Sequence, residues 1–203
     1  MAQAPQTEKI LKVAGLSVGL GLFMELALLI AAGTMGNMPA GKAIIADLAQ
    51  KISWGTVVCV GVAVGAAASR SHVRTGIMGF LSAPAGFYFA KAIHKGANQA
   101  LGIAAPAAAM GPSPLLLALI KAVQYGLLGY GISRLYKKED PGAFAHIAVG
   151  VLSGLIFGGL IIYLFNASNP LTTSQFVTRA INEFLFPVGC ASVLYAAKSF
   201  RRS

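Results

Sequence analysis

The sequence predicts an all-α integral membrane protein with six transmembrane helices and no sizeable soluble domain. Three observations support this prediction: 56% of the 203 residues are hydrophobic, only 11% are charged, and the mean hydropathy is +0.71. About a quarter of the residues of an ordinary soluble domain are charged, so the composition excludes that class. We treat residues 1–203 as one polytopic domain whose predicted spans cover about residues 13–32, 52–69, 76–93, 115–136, 144–165 and 175–198.

The first span runs from Val13 to Ala32 and is interrupted by one carboxylate, Glu25. A helix of about 20 residues crosses a hydrocarbon core of about 30 Å. A charged side chain near the bilayer centre costs about 2.5 to 3.5 kcal/mol. Glu25 is therefore expected to face the bundle or a cavity, to be protonated, or to pair with a cation.

The second and third spans differ in character. Asn37 and Pro39 resemble a helix start, and residues 40–50 predict an amphipathic turn that leads into the second span. Pro84 lies in the middle of the third span and predicts a kink there. The following loop, residues 96–114, is almost uncharged and fits either a re-entrant segment or a cap on the membrane surface.

The fourth span contains Lys121 and Gln124. Lys121 is a basic residue well inside a predicted span, at a depth close to that of Glu25. We therefore predict a Glu25–Lys121 ion pair, with Gln124 as the third member of an intramembrane polar site. Its function would be to bind a proton or cation, and the alternative is a structural pair that specifies helix packing.

The last two spans follow two predicted turns. Residues 139–142 form a tight turn into the fifth span, and Asn169 and Pro170 again resemble a helix start. The sixth span carries Arg179 and Glu183, which are i,i+4 neighbours on one helix face.

His94 lies at the same end of the bundle as Arg179 and Glu183. These three residues would form a polar outer vestibule if they all faced inward. In the alternative interpretation, Arg179 and Glu183 satisfy each other.

The basic residues indicate the orientation of the chain. Cytoplasmic loops of membrane proteins carry an excess of lysine and arginine. With six spans, one side collects Lys9, Lys12, Arg70, Arg74, Arg134, Lys137, Lys138, Lys198, Arg201 and Arg202. Both termini are therefore predicted to be cytoplasmic, in a bacterial inner membrane or plasma membrane. This distribution accounts for the net charge of +10 without nucleic acid as a partner.

No catalytic or cofactor-binding pattern emerges from the sequence. Cys59 and Cys190 lie inside apolar segments without metal-ligand spacing, and the three histidines fall at different depths. The GxSxG pattern over residues 15–19 lies within a span rather than at a strand-to-helix turn. We therefore predict no enzyme activity, no cofactor and no metal.

Small residues at four-residue spacing predict close helix packing of the GxxxG type. Such pairs occur at Gly15 and Gly19, at Gly61 and Gly65, and along residues 150–158. Three similar short segments, residues 14–17, 79–82 and 150–153, also suggest three helical hairpins. Chance similarity among small and apolar residues is the alternative explanation of these segments.

Two function classes remain. The first is transport or conduction of a small solute or ion through Glu25 and Lys121. The second is a non-catalytic transmembrane subunit of a secretion, respiratory or photosynthetic assembly. The expected partners are the lipid bilayer and, in the second case, other protein chains or further copies of this one.

Overall fold

The computed structural model describes residues 4–68, 71–104, 111–136 and 142–199, and within these ranges it is helical without strands. The prediction of an all-helical chain is thus confirmed for this part. Its helices are α1 (Ala4–Thr34), α2 (Gly41–Ala68), α3 (His72–Ala100), α4 (Pro114–Leu135), α5 (Ala143–Ser168) and α6 (Thr173–Ser199). Helix α5 contains one π-helical turn, Gly154–Gly158.

Five of these helices are long and apolar enough to cross a membrane. Helix α3 is also long, but it does not reach the same apolarity; Arg74, Lys91 and Lys95 fall within it. It runs without interruption through Pro84. Large apolar side chains are exposed on the outside of the bundle, as on a surface that faces lipid.

The six helices form a closed ring in chain order. Each helix packs against the next one, and α1 packs against α6. Helices α2, α4 and α6 also contact one another, so they occupy the centre, while α1, α3 and α5 pack chiefly against their ring neighbours. We call the end of the bundle where α1 begins and α6 ends the inner end, and the opposite end the outer end.

Two glycines end helices at the outer end. Gly36 follows α1 with φ +69°, and Gly102 follows α3 with φ +67°. In each case the next amide bonds back to a carbonyl five residues earlier, as Asn37 does to Ala32 at 2.9 Å. This is a Schellman motif, and it uses the left-handed conformation that glycine adopts without strain.

The helix starts differ from those predicted. Helix α2 begins at Gly41 and runs unbroken to Ala68, so residues 40–50 are not a separate turn. Asn37 donates to the Met35 carbonyl and does not cap α2.

Helix α6 begins at Thr173, beyond Asn169 and Pro170. Its start is fixed by a reciprocal pair in which the Gln175 amide donates to the Thr172 hydroxyl and the Thr172 amide donates to the Gln175 side chain. This arrangement is a capping box.

Most of the predicted glycine contacts are formed. A Cβ atom on Gly65 would lie 2.7 Å from Met78 of α3, and one on Gly150 would lie 2.6 Å from the Val188 backbone of α6. Gly15 and Gly19 differ, because a Cβ atom on either meets nothing within 4 Å. The predicted use of that pair within the bundle is therefore wrong, since both face away from the other helices.

Several predicted features fall outside the described residues. They include most of the turn at 139–142, part of the loop at 96–114, and the basic residues Arg70, Lys137, Lys138, Arg201 and Arg202. Of the basic residues assigned to the cytoplasmic side, those within the described ranges lie on the helices toward the inner end: Lys9, Lys12, Arg74, Arg134 and Lys198.

Candidate functional site

Two buried ion pairs lie in the outer half of the bundle. The Lys51 ammonium is 2.6 Å from the Glu25 carboxylate, and the two side chains are only 11% and 6% exposed. The Lys121 ammonium donates a hydrogen bond to the Glu183 carboxylate, with side-chain exposures of 9% and 17%. The first pair joins α1 to α2, and the second joins α4 to α6.

The predicted Glu25–Lys121 ion pair is therefore wrong, because each of the two residues has another partner. The reason is the early start of α2. Lys51 lies about three turns into this helix, at a depth where it reaches Glu25 across the α1–α2 contact. In the sequence, Lys51 follows the polar residues of the predicted turn, so nothing marked it as an intramembrane residue.

Lys51, Lys121 and Glu183 line one cavity of about 200 Å³, which we call the central cavity. It lies where the three central helices converge. The same cavity is lined by two side-chain amides, by three aromatic rings and by one alanine: Gln50, Asn182, Trp54, Phe87, Phe186 and Ala90. Charged, amide and aromatic groups therefore converge on a space that fits a small solute or ion.

Aromatic side chains form the inner floor of the central cavity. Trp54 of α2 meets Tyr125 of α4 with ring centroids 5.5 Å apart, and Phe186 of α6 with centroids 6.5 Å apart, both edge to face. Each of the three central helices contributes one ring. All three rings are under 9% exposed, and Trp54 and Phe186 line the cavity while Tyr125 lies behind them. We call this group the aromatic layer.

The charges stand about one helical turn outward from the aromatic layer. Lys51, Lys121 and Glu183 precede Trp54, Tyr125 and Phe186 by three, four and three residues, so charge and ring share a helix face. The Lys121 ammonium lies 5.7 Å from the centroid of the Trp54 ring, within range of a cation–π contact.

A second cavity of about 320 Å³ adjoins the first. It shares Gln50, Lys51 and Asn182 with the central cavity, and Glu25 and Asp47 also line it. Lys51 thus borders both spaces, and Glu25 borders the second. The two cavities together form a polar region in the outer half of the bundle, between α1, α2, α4 and α6.

The structure does not bring His94, Arg179 and Glu183 into one vestibule. His94 bonds to Asp47 at 3.0 Å and, with Lys91, lines a third cavity, which shares only Gln50 with the other two. Arg179 stacks on the Phe165 ring, with its guanidinium carbon 3.4 Å from the ring centroid. Glu183 alone of the three reaches the central cavity, because its partner is Lys121 rather than Arg179.

Gln124 also lies away from the central cavity. Its side chain is fully buried between α4 and α5, where the amide donates to the Ser153 carbonyl at 3.3 Å. That carbonyl directly precedes the π-helical turn of α5, where the backbone hydrogen-bond pattern changes. Gln124 therefore links two helices and does not join Lys121 and Glu25 in one site.

The candidate site was compared with metal-binding arrangements, and the chain with known proteins. In the described ranges, no three histidine, cysteine, aspartate or glutamate side chains come close enough to hold a metal ion. Comparisons with protein families, with curated proteins and with solved structures found no match. The function is therefore argued from the geometry of this chain.

Proposed function

We propose that this protein is a polytopic membrane transporter or channel with six spans, and that a small polar solute or ion occupies its central cavity. One observation carries the proposal: Lys51, Lys121 and Glu183, three members of two buried ion pairs, line a cavity between the three central helices, next to a layer of aromatic rings. Ionisable side chains within a membrane span are costly and mark ion or substrate pathways.

The paired charges explain how such a site could bind and release its occupant. Each carboxylate has a lysine partner, so these pairs leave no unbalanced charge beside the cavity. An ion or dipole that enters the cavity competes with the lysine for its carboxylate partner, or with the carboxylate for its lysine partner. The exchange replaces one electrostatic contact by another and leaves no bare charge in a low-dielectric region.

The aromatic layer is placed to close the cavity toward the inner end. A solute entering from the outer end would meet the rings of Trp54 and Phe186, with Tyr125 packed behind them. Passage to the inner end requires these rings to separate. We therefore propose that the aromatic layer is the inner gate, and that the described conformation is the outward-facing one.

The test compares two double variants in proteoliposomes. Lys121→Met with Glu183→Leu removes both charges of one buried pair and keeps apolar bulk, which is often neutral or stabilising for a fold. Glu8→Leu with Lys12→Met removes an exposed pair on α1 as the matched control.

Entry of protons, K⁺, Cl⁻ and glycine is followed with interior dyes and by light scattering. We expect wild type and the control to admit at least one probe faster than protein-free liposomes, and the Lys121/Glu183 variant to lose that rate while remaining folded. Equal entry rates in wild type and in the folded Lys121/Glu183 variant would contradict the proposal. The proposal would also be contradicted if wild type admitted none of the probes faster than protein-free liposomes.

A second function is favoured by a different observation. Gly15 and Gly19 present a GxxxG face on α1 that no described helix of this chain covers, beside the exposed apolar side chains of Leu22 and Leu26. Such faces let helix backbones approach closely in membranes. The alternative is therefore a non-catalytic subunit whose α1 packs against a helix of another chain.

Particle mass separates the two functions. The protein is extracted with its native lipids, and the mass of the particle is measured for wild type and for Gly15→Leu with Gly19→Leu. If wild type carries partners at a fixed stoichiometry and the variant loses them, the function as a subunit of an assembly is supported. A particle of this chain alone, unchanged in the variant, would support transport.

A further inference from the structure

An apolar groove lies on the outside of the bundle between α3 and α4. Its volume is about 340 Å³, and it is lined by Val73, Gly76, Ile77 and Phe80 of α3 and by Val123, Gly126, Leu127 and Tyr130 of α4. Ile77, Phe80 and Leu127 are between 42% and 56% exposed. We call this feature the α3–α4 groove; it belongs to none of the cavities described above.

The groove exists because two glycines face each other across the helix contact. A Cβ atom on Gly76 would lie 3.1 Å from the Gly126 carbonyl oxygen, and one on Gly126 would lie 3.2 Å from the Cβ of Phe80. The backbones are therefore close, and no side chain from either glycine fills the space above them. The α3–α4 groove therefore has apolar walls and is open on the outside of the bundle.

The inner end of the groove is polar and positively charged. Arg134 follows Tyr130 by one turn on the same face of α4, and its guanidinium carbon lies 5.4 Å from the Tyr130 ring centroid. The His72 ring approaches Tyr130 edge to face at 6.0 Å. Arg134 is exposed, and among the described residues no carboxylate pairs with it.

We propose that the α3–α4 groove binds one anionic phospholipid of the inner leaflet, with an acyl chain along the groove and the phosphate on Arg134. The dimensions agree with this occupant. From Val123 to Tyr130 the helix rises about 10 Å, within the depth of about 15 Å of one leaflet's hydrocarbon, and Arg134 lies about 6 Å further toward the headgroups. This site requires the helices to be in a membrane, but it does not depend on transport.

The chemistry favours an anionic lipid over a neutral one. A guanidinium binds phosphate through two parallel hydrogen bonds, and basic clusters beside a membrane helix attract anionic headgroups. Tyrosine is also enriched at the membrane interface, where its ring lies among the headgroups. The cation–π contact with the Tyr130 ring places Arg134 at the mouth of the groove.

The headgroup contact is tested by native mass spectrometry. The protein is released from nanodiscs that contain phosphatidylglycerol and phosphatidylcholine, and the retained lipids are counted. We expect wild type to retain phosphatidylglycerol preferentially and Arg134→Gln to lose that preference. Arg74→Gln is the matched control, because Arg74 is an exposed arginine near the inner end of α3 that does not line the groove.

A second variant tests the acyl-chain contact. Val123→Trp fills the groove from its open side, and Val18→Trp places the same ring at an equally exposed apolar position on α1. We expect Val123→Trp to retain less lipid than wild type, and Val18→Trp to retain as much.

Three results would overturn the proposal. In the first, Arg134→Gln keeps the phosphatidylglycerol preference. In the second, Arg74→Gln loses the preference equally, so that only general attraction operates. In the third, Val123→Trp leaves the lipid count unchanged; a lower oligomeric mass of that variant would then show that a second copy of the chain occupies the groove.

Discussion

Glu25 and Lys51 meet in a part of the bundle where neither charge is solvated by bulk water. Their side chains are 6% and 11% exposed. Removing one partner of a buried ion pair leaves the other charge uncompensated, which costs about 3 to 5 kcal/mol. Removing both leaves no bare charge, so the energetic signature of such a pair is strong coupling between the two single variants.

Glu25→Gln and Lys51→Met are therefore expected to lower stability by about 3 to 5 kcal/mol each, and the double variant by much less than their sum. Thermal unfolding in detergent measures the four members of this double-mutant cycle. Lys12→Met is the surface control, because Lys12 pairs with an exposed Glu8, and we expect no measurable loss.

A second cycle distinguishes the structure from the pairing that the sequence predicted. Glu25→Gln and Lys121→Met have separate partners, so their losses should add when combined. Coupling in the Glu25–Lys121 cycle, with additivity in the Glu25–Lys51 cycle, would contradict the pairing described above.

The sequence identifies some of these residues and not others. Glu25 and Lys121 are recognisable because each stands alone in an apolar run. Lys51 is not, because it follows polar residues and its depth depends on where α2 begins. The choice of partners depends on how each helix is rotated about its axis, and no local pattern specifies that rotation.

Glycine contacts set the distances between elements. Gly79 of α3 lies against the Tyr125 backbone of α4, and a methyl group on Gly79 would overlap that carbonyl oxygen. Gly19 of α1 faces open space. The same residue type therefore has two different roles at similar positions in apolar helices.

Gly79→Ala is expected to destabilise the fold by about 1 to 3 kcal/mol, because the α3–α4 contact must open. Gly19→Ala is expected to be neutral or stabilising by up to about 1 kcal/mol, because alanine is the better helix former. Chemical or thermal unfolding of the two variants in one detergent checks both values. Equal effects would show that Gly79 is not at a close contact.

At the scale of the elements, the existence of the helices was predictable and their ends were less so. At most ends, the apolar runs predict the helix boundary to within a few residues. The start of α2 is an exception, because its polar residues predict a separate turn. The π-helical turn of α5 was not predicted, since no residue type marks it. Thr172 and Gln175 have the spacing of a capping box, but Asn169 and Pro170 also resemble a helix start and predict an earlier one.

The ring of six helices explains why the charges meet at the centre of the molecule. Helices α2, α4 and α6 contact one another, and each contributes one charged residue and one aromatic ring to the central cavity and its floor. The peripheral helices α1, α3 and α5 separate the three central helices from the surroundings of the bundle. The order of the ring was not readable from the sequence, because apolar faces of similar composition do not specify their neighbours.

The three short similar segments do not make equivalent contacts. Their last residues correspond to one another, and Ser17 contacts Gly55 of the following helix α2, whereas Ser82 contacts Gly61 of the preceding helix α2. Repetition stays a prediction.

We propose that the cavity opens to the outer end and is closed toward the inner end by the aromatic layer. The most direct measurement is labelling of single introduced cysteines by a membrane-impermeant thiol reagent, in right-side-out and inside-out vesicles. Asn182→Cys lies in the cavity, and Leu128→Cys lies inward of the layer at 1% exposure. Wild type, whose two cysteines are both buried, is the blank.

We expect Asn182→Cys to react only from the side opposite the termini, and Leu128→Cys to react from neither side. Labelling of Asn182→Cys from the side of the termini, or rapid labelling of Leu128→Cys, would contradict an outward-open cavity closed by the aromatic layer.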